Sequence, residues 1–73
     1  MSIQYSDIFA RRLRSERERL GVTQTALARR IARILNQNVD PSVVNRIEQG
    51  TRAVRLDEAV AVAEALDVSL TAL

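Results

Sequence analysis

Neither cysteine nor histidine occurs in the 73-residue sequence. Disulfide staples, thiol chemistry, the usual zinc sites and imidazole acid–base catalysis are thereby excluded, and only carboxylates remain for any reaction. Those carboxylates stand at capping or surface-pattern positions and no Gly-rich phosphate loop is present, so neither an enzyme nor a cofactor is expected. Long apolar runs are missing as well: Ala59 to Ala63 falls far short of the roughly 18 residues a membrane span needs. With no secretory-type leader visible either, a soluble protein of the cytosol is expected. No repeat, linker or low-complexity tract divides the sequence, and the expectation is one domain over residues 1–73, near the lower size limit for an unstapled core. Lysine is absent too, all eleven basic residues being Arg. That bias accompanies abundant Ala and Val and says little by itself about partners.

The formal charge is only +2, but it is unevenly spread. Residues 1–55 hold all eleven Arg against Asp7, Glu16, Glu18, Asp40 and Glu48, whereas residues 56–73 hold Asp57, Glu58, Glu64 and Asp67 and no base. A basic end of this kind suits a polyanion.

Hydrophobic periodicity predicts helices throughout. Residues 1–6 form a lead-in, and Ser6 or Asp7 is placed to cap a helix over Asp7–Leu20, with Ile8, Phe9, Leu13 and Leu20 on one face and Gly21 at its end. Its run RRLRSERER interleaves Arg with Glu and reads as a solvated, ion-paired face, so no site residue is assigned there. Thr23 is a good N-cap for a second helix, from Gln24 to Leu35 or Asn36, whose stripe is Leu27, Ile31, Ile34 and Leu35. Asn38 is placed to end it. Asp40 caps a third helix that begins at Pro41, carries Val44 and Ile47 on its inner face, and stops at Gly50 after about two turns. So short a helix needs tertiary packing to exist, and Ser42, Asn45, Arg46 and Gln49 are left facing outward. A fourth helix over Asp57–Leu66 has the core face Leu56, Ala59, Val62, Ala63 and Leu66, with Val60 off that face. Ser69 caps a fifth, beginning LTAL.

The blocks GVTQTALA, NVDPSVVNRIEQGTR and LDEAVAVAEALDVSLTAL, in this order, resemble the lambda-repressor/Cro family of helix-turn-helix regulators, also called the Xre family, over about residues 7–73. The resemblance implies a compact all-α domain of five helices that binds duplex DNA and regulates transcription, probing the major groove with helix 41–49. Carried over residue by residue, Thr23 and Gln24 match the family's phosphate contacts at the start of the first motif helix, where free N–H groups and the helix dipole attract an anion. Ser42 and Arg46 match base-reading positions; the Arg46 fork suits guanine O6 and N7, with a phosphate contact as the competing reading. Val43 matches a thymine-methyl contact, Asn45 shares the outward face, and Pro41 offers a reading position only an apolar ring. Gln49, Thr51 and Arg52 match contacts to the DNA backbone. Glu48 resembles a structural acid paired with Arg17. The resemblance also implies a homodimer on two half-sites, for which Val60, Leu70 and Leu73 are the candidate interface, and a nucleoid-associated location. The same fold occurs in antitoxins whose primary partner is a protein, which is the rival expectation. The sequence departs from the family pattern between Ala28 and Val39, where about six extra residues, including IARILN, are expected to lengthen the first motif helix.

Overall fold

The computed structural model describes residues 5–73, and among them it contains four α-helices and no strand. Helix α1 spans Tyr5–Arg19, α2 Gln24–Leu35, α3 Pro41–Glu48 and α4 Leu56–Leu66. The expected fifth helix is a single 3-10 turn, Leu70–Ala72, whose cap is the Ser69 hydroxyl accepting from the Thr71 N–H. Of the expected lead-in, residues 1–4 lie outside the described residues, while Tyr5 and Ser6 already belong to α1. Asp7 therefore stands in the first turn, where the helix dipole favours it, rather than at the cap. No helix among the described residues is long and apolar enough to cross a membrane.

The helix starts follow the sequence closely. Thr23 Oγ1 accepts from the Ala26 N–H at 3.0 Å, and Asp40 Oδ1 accepts from the Ser42 N–H at 2.8 Å with Pro41 at the first helical position. All four helices end alike. After each, a residue with positive φ lets the N–H of the residue that follows it reach back to a carbonyl five residues earlier: Val22 to Arg17, Gln37 to Ala32, Thr51 to Arg46 and Val68 to Ala63. Gly21 and Gly50 fill that position in two cases, Asn36 and Asp67 in the others. Asn36, not Asn38, thus ends α2, because the bond from Gln37 to Ala32 closes there. The extra residues of the motif are shared between a twelve-residue helix and the connection 36–40.

The core is aliphatic apart from Phe9: Leu13, Leu27, Val44 and Val62 are wholly buried, with Ala28, Ile31, Ile47, Ala61 and Leu66 around them. Ala28 is 1% exposed within this cluster. Three expected core residues lie outside. Leu20 falls in the turn after α1, and Ile34 is 39% exposed at the edge of the α2 stripe, while its neighbour Leu35 still packs against the core. Leu56 is 78% exposed because α4 buries a wide arc on its other side, through Glu58, Ala61 and Ala59, which leaves Leu56 and Val60 together on the outer face. Val43 packs against the core at the edge of α3.

Candidate nucleic-acid interface

Eight residues make α3 too short to persist alone, and its two buried anchors decide what its other side does. Val44 and Ile47, 1% and 3% exposed, fix the rotation of the helix; Ser42, Arg46 and Gln49 then fall on one exposed row, with Pro41 and Asn45 half-buried on its flank. Arg46 is held lightly. Its Nε donates to the Ser42 carbonyl at 3.3 Å, and its two terminal nitrogens make no hydrogen bond among the described residues. At the start of the row, the Asp40 carboxylate is held below its usual range, first by the Ser42 backbone N–H and then by the Ser42 hydroxyl.

At the end of α3, Thr51 donates from both its N–H and its hydroxyl to the Arg46 carbonyl, closing the helix and fixing the chain that leaves it. Gly50, at φ +74°, makes that reversal; a Cβ there would stand 2.9 Å from Asp7 Oδ1, so the start of α1 presses on this turn.

Two ion pairs hold the site's frame. Arg17 donates through Nε and Nη2 to both Glu48 oxygens at 2.6 and 2.9 Å, and through Nη1 to the Val22 carbonyl at 2.9 Å. The two side chains are only 12% and 3% exposed, so α1, α3 and the entry to α2 are tied at one buried point, as the resemblance implied. The Glu48 bond raises the already high pKa of Arg17. Gln24 joins the network, its amide nitrogen donating to Glu48 Oε1 at 3.2 Å and Asn45 Oδ1 at 3.3 Å. Thr23 and Gln24 thus begin α2 beside the middle of α3. Arg14, Arg17, Gln24, Asn45, Glu48 and Gln49 line a polar cleft of about 210 Å³ where these three helices meet.

The second pair revises an expectation. Arg52, read from the sequence as a backbone contact, turns inward: Nη1 and Nη2 donate to the two Glu58 oxygens at 2.9 and 2.8 Å. Glu58, 7% exposed, also accepts from the Arg55 N–H at 2.9 Å, so its carboxylate fastens the segment after α3 to the first turn of α4. These bonds hold Glu58 below the usual carboxylate range against its burial, the Arg52 guanidinium first. The sequence gives no sign of this pairing, because Glu58 looks like any acid in a first helical turn. Arg46, Ser42, Gln49, Gln24 and Thr51 are brought to one side of the fold, while Arg52 is spent within it.

No curated protein matches the sequence significantly. Among solved structures, the restriction-modification controller protein C.AhdI from Aeromonas hydrophila superposes with a TM-score of 0.80 at 31% identity, over 92% of each chain. The helix-turn-helix family model HTH_3 matches residues 13–73. The chain belongs to the Cro/C1-type, Xre-like helix-turn-helix family of DNA-binding regulators.

Proposed function

We propose that the protein is a sequence-specific transcriptional regulator that reads the major groove of duplex DNA with α3 and carries out no chemistry of its own. The observation that carries this reading is the exposed row Ser42, Arg46 and Gln49 on a helix whose opposite side is locked in the core. Arg46 reads a guanine through its two free terminal nitrogens, and Ser42, Val43 and Pro41 add hydroxyl and apolar contacts to neighbouring bases. Thr23, Gln24, Gln49 and Thr51 position the helix by contacting phosphates on either side, and Asn45 supports Gln24.

One α3 reads too few bases for a selective site, so the regulator acts as a homodimer on two half-sites about one helical turn apart. Its interface is the outer face of α4, where Leu56 and Val60 stand 78% and 46% exposed, continued by Leu70 at 44%. Leu73 packs onto the core and contributes only an edge. A regulator of this kind works on the nucleoid in the cytoplasm, and control of a restriction–modification system, the role printed for C.AhdI, is one setting it fits.

The test is binding to duplex DNA across salt. The Arg side chains of the basic segment, residues 1–55, displace counterions from the phosphates they approach, so affinity falls by several-fold or more between low and physiological salt. Selection from random duplexes should return a two-part site. Equal affinity at both salts, or no duplex binding at either, would replace this reading with that of a protein-binding module of the antitoxin kind.

A further inference from the structure

The arginines of α1 look alike in the sequence, but the structure sorts them. Arg17 is buried against Glu48, and Arg19 spends both Nε and Nη2 on Glu16. Arg14 is different. It makes one bond, Nε to Glu18 Oε1 at 2.9 Å, between side chains that are 65% and 57% exposed. Surface pairs of this kind contribute at most about 1 kcal/mol and exchange readily for another anion. Both terminal nitrogens of Arg14 make no hydrogen bond among the described residues, and Arg14 lines the cleft that Gln24 and Gln49 also line.

The charge of that cleft comes down to Arg14. Arg17 and Glu48 cancel each other within it, and the remaining lining side chains, Gln24, Asn45 and Gln49, are neutral amides. A guanidinium among amide groups, whose only partner is an exposed carboxylate outside the cleft lining, suits a singly charged oxyanion, and this one lies beside the exposed row of α3. We propose that Arg14 is a phosphate-positioning residue: it supplies the charge of a seat, formed with Gln24 and Gln49, that holds one phosphate of the bound duplex. The proposal rests on the reading of α3 as the groove helix and adds α1 to the interface.

Arg14→Ala, Arg14→Lys, Arg12→Ala and the wild type are compared by fluorescence anisotropy on a mixed-sequence duplex about three helical turns long and on the selected operator, across a salt series. Arg12 is exposed on the far side of α1 and removes the same charge without touching the cleft. Arg14→Ala should melt like the wild type, weaken both duplexes by the same factor and reduce the magnitude of the salt slope by about one. Arg14→Lys should keep the slope, and Arg12→Ala should leave both slope and affinity unchanged. A wild-type slope and affinity in Arg14→Ala would overturn the proposal, as would an equal loss in Arg12→Ala, which would mark a net-charge effect. Altered base preference in Arg14→Ala would also overturn it, since a phosphate contact specifies no sequence. Failure of the wild type to bind either duplex would instead bring down the α3 reading itself.

Discussion

Replacing Arg52 by alanine distinguishes a frame residue from a DNA contact. The substitution deletes two hydrogen bonds of 2.9 and 2.8 Å and leaves the Glu58 carboxylate, 7% exposed, with only the Arg55 N–H and an Arg55 guanidinium 3.9 Å away that is itself 59% exposed. Removing one partner of a fully buried pair costs about 3–5 kcal/mol. Arg52 keeps 31% of its side-chain surface in water and Glu58 keeps one backbone donor, so the expected loss is smaller, about 2–3 kcal/mol. In a domain of this size each kcal/mol moves Tm by about 4–8 °C, which puts the fall at roughly 10–20 °C by circular dichroism melting. The effect carries a pH signature. Because Glu58 is held below its usual range, its stabilisation is complete above that range and is lost as pH falls below it. The gap in Tm between wild type and Arg52→Ala should therefore be widest near neutrality and narrow in acid. An unchanged Tm with a salt slope lower by about one would refute the assignment and return Arg52 to the phosphate backbone.

Val44→Asp or Ile47→Asp should abolish cooperative melting and DNA binding together, since each places an unpaired carboxylate at a position no more than 3% exposed; a wild-type melt in either would mean that α3 is rotated. Val60→Glu should shift the protein from dimer toward monomer in sedimentation equilibrium and weaken binding to a two-half-site operator more than to a single half-site, with Tm nearly kept. A wild-type monomer at high concentration, or a dimer indifferent to both Val60→Glu and Leu70→Glu, would contradict the interface.

Helix positions were legible because their punctuation is local: Thr23, Asp40, Pro41, Gly21 and Gly50 each act on their own few residues. The end of α2 at Leu35 was legible but its cap was not, because Asn36 and Asn38 are equally able to adopt positive φ, and only the bond from Gln37 to Ala32 decides between them. Leu56 was misread because helical periodicity locates an apolar face but not its width; α4 is packed over so broad an arc that Ala61 and even Glu58 lie inside it. The exposed row of α3 followed from Val44 and Ile47 alone. The Arg17–Glu48 pair came from the resemblance, and what Arg14 and Arg52 face was not legible, since the cleft is assembled from segments distant in the chain and Glu58 is a first-turn acid with no distinguishing neighbour.

The central claim is that α3 reads bases through Arg46, and sequence selection on Arg46→Ala tests it most directly. The variant should fold as the wild type does, since Arg46 is exposed and holds only one long bond to the Ser42 carbonyl. Its binding to the best operator should weaken by about 1–3 kcal/mol, and preference should relax at one base pair of each half-site while the others stay sharp. A selection profile identical to that of the wild type, with affinity lost equally on every sequence, would contradict the account and make Arg46 one more phosphate contact.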